Sequence, residues 1–303
     1  MEKFLVVIAG PTAIGKTKLS VELAAHYHTQ IISADSRQFY KEMNIGTAKP
    51  DKQEQGGILH HFIDHISIEE AYSAGQFESE VNTLLVNLFK ENEIVFLVGG
   101  SGLFIDAVCK GFDESLPSDS KLRESLIQNY KNEGLEYLRS ELQKVDPEFL
   151  NEVDQNNSQR LMRALEVCLI TGKPYSQLRE GKLKKRNYQI LKILLNLGRN
   201  VIYDRINERV DLMVKKGLIE EAQNLQAYKH LNALNTVGYK ECFDLFENKC
   251  TKEDAIEKIK QNTRRFAKRQ LTWFRRDEEY TEFKPDEKDK IITFIDFVRQ
   301  NFE

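Results

Sequence analysis

Cysteine is scarce in this chain of 303 residues, and the four present, Cys109, Cys168, Cys242 and Cys250, show neither metal-like nor paired spacing. Reduced thiols in a cytoplasmic protein are therefore expected. Long apolar runs are missing too. None approaches the roughly 20 residues that cross a bilayer, and the apolar part of "MEKFLVVIAGP" is short for a secretory signal and runs directly into a glycine loop. No strong charge of one sign dominates: the formal net charge is −3, which gives no global sign of a nucleic-acid partner. Internal repeats and low-complexity linkers are also lacking.

What is present is local. Residues 264–276, "RRFAKRQLTWFRR", carry six positive charges and no acid, and "DEE" follows at once. A basic patch on a near-neutral chain suits one defined polyanion. "FLVVIAG" reads as a strand buried on both faces, and "KTKLSVELAAHYH" as a helix. "QIISADS", "EIVFLVGGSGLF" and "YQILKILLNL" (188–197) read as further strands. The pattern predicts an α/β fold: a P-loop NTPase-like parallel sheet flanked by helices, with its site at the carboxyl edge. Helical periodicity and dense charge mark an insertion, so residues 1–116 and 185–303 are expected to form the core and 117–184 a helical insertion domain. The part after Val201 is expected to be helical.

Between the first strand and helix stands "GPTAIGKT": Gly10, Pro11, Thr12, Ala13, Ile14, Gly15, Lys16 and Thr17. Glycines let several backbone N–H groups converge on an oxyanion, Lys16 adds a cation, and Thr17 a hydroxyl suited to Mg²⁺. The loop is an ATP-binding motif by pattern, yet it does not say whose phosphates it holds. Magnesium nucleotide enzymes usually show a second strand closing on Asp, whereas "IVFLVGG" closes on glycine. The nearest acid at a strand end is Asp35, which can be a metal ligand, a helix N-cap or a base. "HHFIDH" places His60, His61, Asp64 and His65 together, but with no partner Cys or His in view, core and hydrogen-bonding histidines are the better reading.

The ordered motifs "GPTAIGKT", "SADSRQFY", "IGTAKP", "HHFID", "VGGSGLF", "QRLMRALEV", "TGKP", "RINERVDLM", "VGYKE" and "AKRQLTWFR" resemble the tRNA dimethylallyltransferases over nearly the whole length. The resemblance implies transfer of a dimethylallyl group from dimethylallyl diphosphate to a tRNA adenosine just 3′ of the anticodon, in tRNAs reading codons that begin with U. It implies that the loop grips a diphosphate leaving group with Mg²⁺ at Thr17, that Lys16, Thr17 and Arg209 act on that group, and that Asp35 is the general base. Arg209 can instead be a surface arginine paired with Glu208 or Asp211.

The resemblance further implies tRNA contacts at Asp35, Ser36, Arg37, Gln38 and Ser101, at Arg123, and along Gln159, Arg160, Leu161, Met162 and Arg163. Asn235, Thr236, Val237, Gly238, Tyr239 and Lys240 complete the set. Ser101 stands where the family usually has threonine, and Phe104 replaces a common tyrosine. Ion pairing, as between Arg163 and Glu166, is the alternative for the insertion's arginines. Arg264, Arg265, Lys268 and Arg269 are expected to face phosphates while Trp273 and Phe274 pack inward. A kinase using the same loop, a prenyltransferase acting on free nucleotides and a non-catalytic RNA binder are the rival functions. A monomer with no membrane association is expected.

Overall fold

The computed structural model describes residues 2–111, 116–178 and 185–302. Its strands are β1 (Phe4–Ala9), β2 (Ile31–Ser33), β3 (His60–His61), β4 (Ile94–Gly99), β5 (Gln189–Leu195) and β6 (Tyr280–Phe283). They form one sheet in the order β3-β2-β4-β1-β5-β6, with every neighbouring pair parallel. β1 and β4 are buried at every position because helices cover both faces. Leu5, Val7 and Ala9 join one core, while Phe4, Val6 and Ile8 join the other. A continuous apolar run is the pattern such a strand needs.

The helices are α1 (Lys16–His26), α2 (Ala74–Glu91), α3 (Gly102–Lys110), α4 (Ser120–Glu133), α5 (Leu135–Val145), α6 (Pro147–Glu152) and α7 (Ser158–Thr171). They continue as α8 (Tyr175–Leu178), α9 (Arg199–Lys215), α10 (Leu218–Asn224), α11 (Tyr239–Phe246), α12 (Lys252–Phe274) and α13 (Lys288–Gln300). α1 contributes Leu19 and Leu23 to one sheet face beside Ile291 and Ile295 of α13. α2 contributes Phe77, Val81 and Leu85 to the opposite face.

Two compact units emerge, residues 1–109 with 185–303, and residues 110–184. The expected bounds of the insertion, 117–184, fall within the second unit. Its own core gathers Leu126, Leu138, Leu142, Phe149, Leu161 and Leu165. Among its described residues it contains helices and no strand.

Two expectations need correction. The C-terminal part is not wholly helical, because Tyr280–Phe283 forms edge strand β6 beside β5. Its burial is only partial, so no apolar run announces it. β2 is also shorter than "QIISADS": it stops at Ser33, and Ala34 and Asp35 leave the sheet. That departure sets the site.

Candidate active site

β1 ends at Ala9, and the chain turns through Gly10–Gly15 before α1 opens at Lys16. Gly15 adopts φ +107°, a left-handed conformation that an L side chain resists, and this swings the loop onto the start of α1. α1 has no side-chain N-cap among the described residues. A helix start of that kind leaves N–H groups and a positive dipole end for an anion. Lys16 bends back over the loop, its Nζ donating to the carbonyls of Gly10 and Pro11, both at 2.9 Å. Burial pulls its ammonium down to about 8; Asp35 opposes that shift and Arg209 adds to it.

Arg209 lies on α9 and donates through Nη1 to Thr12 Oγ1 at 3.2 Å and through Nη2 to the Ala48 carbonyl at 3.5 Å. Burial lowers its guanidinium from the ordinary value, while Asp35 and Glu54 work the other way. It is therefore not a surface arginine spent on its helix neighbours. Asp211 pairs with Lys260 at 2.9 Å instead. One turn earlier, Arg205 donates to the Ile14 carbonyl at 3.1 Å, a loop contact that sequence reasoning missed.

Asp35 follows the truncated end of β2. Its Oδ1 accepts from the Arg37 N–H at 3.1 Å, and its carbonyl from the Gln38 N–H at 3.1 Å. A turn follows, not a helix, so the N-cap reading falls away. Next to it, Ser101 Oγ accepts from the Ser36 N–H at 2.9 Å and donates to Ser36 Oγ at 3.1 Å. Arg37 donates to the carbonyls of Asn232 and Ala233, and Gln38 to those of Thr47 and Ala48. Both polar heads thus brace the walls of the site.

The glycine that closes β4 now has a physical reason. A Cβ at Gly99 would stand 2.2 Å from the Ala34 carbonyl oxygen, so no side chain fits there. The space beside the tip of β4 is filled by the backbone leading to Asp35.

These groups line one cavity of about 1050 Å³. Thr12 to Thr17 form one wall, with Asp35 to Gln38, Gly46 to Ala48 and Gly99 to Phe104 as others. Arg209, Asn235 to Gly238, Lys240, Gln270 and Trp273 complete it. Gly10 and Pro11 serve through their carbonyls and lie outside the lining. The loop at residues 44–46 is held by Glu221, whose carboxylate accepts from three successive N–H groups at 2.8–3.1 Å and from Tyr239 Oη at 2.6 Å. Thr17 and Asp35 both bring oxygen to the cavity. Magnesium takes such hard donors, usually one or two protein oxygens with phosphates completing the shell, so the Thr17 hydroxyl beside the loop fits Mg²⁺ while the Asp35 carboxylate is left for other chemistry.

A family profile described as IPP transferase matches residues 38–277. The chain belongs to that family. A tRNA dimethylallyltransferase from Christiangramia forsetii is 52% identical over 96% of this chain and 97% of its own length. One from Flavobacterium johnsoniae is 47% identical, with 97% of each chain covered. Among solved structures, a tRNA isopentenylpyrophosphate transferase from Bacillus halodurans superposes with a TM-score of 0.72 at 38% identity, covering 99% of this chain and 96% of its own. A eukaryotic dimethylallyltransferase acting on tRNA gives 0.76 at 29% identity, covering 89% of this chain and 69% of its own.

Within this IPP transferase fold, three of the side chains assigned to RNA by resemblance are buried. Leu161 and Met162 are buried in the insertion core, where the apolar stripe of α7 belongs. Tyr239 is fully buried, and burial together with Glu221 pushes its phenol upward. Gln159 and Arg160 are exposed on α7, as is Lys240 on α11. Arg123 and Arg163 both donate to the fully buried Glu166, at 2.9 and 3.1 Å, so the ion-pair alternative describes their contacts in this state. Arg163 also donates to the carbonyls of Leu116 and Pro117.

The basic segment on α12 divides its labour. Phe274 is in the core, and Trp273 donates to Asp106 Oδ2 at 2.9 Å. Arg264 bonds Asn207, Arg265 bonds Asn262, and Arg269 lies 5.7 Å from the exposed Phe266 ring. Each histidine of "HHFIDH" makes a hydrogen bond, His60 Nδ1 with the Ile58 carbonyl, His61 with Gln30 and His65 with Glu80, while His60 Nε2 is buried without a partner among the described residues. Among the described residues, no helix is long and apolar enough to cross a membrane.

Proposed function

We propose, for a chain whose family makes it a tRNA-modifying prenyltransferase, the following reaction. The dimethylallyl group of dimethylallyl diphosphate passes to the exocyclic amine of the adenosine 3′-adjacent to the anticodon, in tRNAs reading codons that begin with U. The products are N6-dimethylallyladenosine and diphosphate. The chain acts in the cytoplasm as a monomer. One observation carries this reading: the phosphate loop with Lys16 and Arg209, and the carboxylate of Asp35, line the same cavity.

The allylic C–O bond breaks as negative charge gathers on the departing diphosphate. Loop N–H groups, Lys16 and Arg209 stand ready to neutralise that charge, and pre-organised donors of this kind lower such barriers by several kcal/mol. Mg²⁺, held at Thr17, supplies further charge neutralisation when bound. The acceptor amine is a weak nucleophile because its lone pair is shared with the ring. Asp35 takes the proton from this nitrogen as the C–N bond forms. A base stacked beside the anticodon has to be turned out to reach this carboxylate. Ser36 and Ser101 meet the target nucleotide, a role supported by their presence in the same cavity as Asp35.

Incubation with dimethylallyl diphosphate, Mg²⁺ and unmodified tRNA, followed by mass analysis of the nucleosides, tests this. A dimethylallyl adenosine adduct at the stated position is expected. ATP-dependent phosphorylation with no adduct overturns the reading.

A further inference from the structure

Gln270 sits on α12, far in sequence from both loops of the site, and is only 7% exposed. Its amide is committed at both ends. Oε1 accepts from the Thr12 N–H at 2.9 Å, and Nε2 donates to the Gly100 carbonyl at 2.9 Å. Thr12 belongs to the phosphate loop and also receives Arg209 on its hydroxyl. Gly100 opens the turn that leads to Ser101, whose hydroxyl grips Ser36 and whose N–H donates to the Ala34 carbonyl, beside Asp35. One side chain thus ties the wall that holds the diphosphate to the wall that presents the base.

The fit admits little else. A Cβ at Gly100 would stand 2.3 Å from Gln270 Nε2, so glycine is needed there to let the amide reach the backbone. One turn on, Trp273 lies against Gly102 in the same way, with its indole 2.3 Å from a built Cβ, and donates to Asp106. The α12 surface therefore follows the whole turn after β4. An acid at position 270 would lose the hydrogen for Gly100, and an apolar residue would leave Thr12 N–H and Gly100 carbonyl without this partner.

We propose that Gln270 is a positioning residue that fixes the distance between the donor's reacting carbon and the acceptor nitrogen. It touches neither. Each half-site keeps its own contacts without it, so its loss should spoil alignment more than affinity. A misplacement of about 1 Å can cost on the order of 100-fold in rate. The proposal rests on the prenyl-transfer reading above, and the experiment separates the two.

The full chain and the variants Gln270→Met, Gln270→Glu and Gly100→Ala are compared in dimethylallyl transfer to unmodified tRNA, with circular dichroism to establish folding. The parent yielding no adduct sinks the functional reading. Given an active parent, folded Gln270 variants should lose about 100-fold in kcat, while the dissociation constants of donor and tRNA stay within about threefold. Gly100→Ala should cost much less in a Gln270→Ala background than alone, because the amide it would strike is gone. Unchanged kcat, or a loss confined to donor affinity, overturns the inference and leaves Gln270 a support of one loop only. Should the methionine variant fail to fold, the near-isosteric glutamate variant decides.

Discussion

Lys16 occupies an unusual position for a cation, half-buried and resting on two backbone carbonyls. Its ammonium falls from 10.5 to about 8, chiefly through burial. An arriving diphosphate favours the charged form, so binding above that pH has to take up a proton. Donor affinity should therefore weaken as pH rises above about 8, approaching tenfold per pH unit, when measured as a dissociation constant. A constant affinity across pH 7–9.5 would contradict this. Folding has the opposite sign: the folded chain releases the proton first, so stability rises between about 8 and 10.5. Lys16→Met should abolish turnover without lowering Tm. At the other side of the cavity, Asp35→Asn should lower kcat by roughly 10²–10⁴ if the carboxylate is the base. Binding of tRNA, read by filter retention, should stay near that of the parent.

Elements hold these side chains by devices of uneven visibility. β1 and β4 could be read directly, since strands buried on both faces must be apolar throughout. β5 hides a charge in the same setting: Lys192 is 4% exposed, bonded to Asp277 at 2.9 Å and to Glu279. Burial works against its ammonium, and the two carboxylates outweigh burial, so its pKa is raised. Both acids lie at the approach to β6, which only the folded sheet brings alongside β5. Lys192→Ala should destabilise by about 3 kcal/mol, more than Lys192→Met, as measured by urea unfolding. α12 begins with a capping box, in which Thr251 and Asp254 bond reciprocally. Thr251→Ala should cost only about 1 kcal/mol by the same measurement.

For the whole molecule, sequence reading fared best where chemistry is local. The phosphate loop, the glycine-closed strand and Asp35 stand within short motifs, and the fold brings them to one cavity. Gln270, Arg205 and Glu221 were illegible, because each acts on a loop distant in sequence and lies among charged residues that draw attention to themselves. Leu161, Met162 and Tyr239 show the reverse: the motif runs through them, but helical periodicity turns their side chains into the core. The insertion's arginines make their prediction at this scale. Replacing Arg123, Arg160 and Arg163 by Gln should weaken tRNA binding and reduce the slope of log affinity against log salt by roughly one for each phosphate no longer neutralised. An unchanged slope would assign Arg123 and Arg163 to Glu166 and the insertion fold alone, and leave Arg160 without a phosphate.

The crowding at Gly99 also limits what substitution can do. With the Ala34 carbonyl pressed against that position, an acid at the tip of β4 would have to push aside the chain that follows β2. That chain carries Asp35, so a carboxylate gained at position 99 would displace the one already in place.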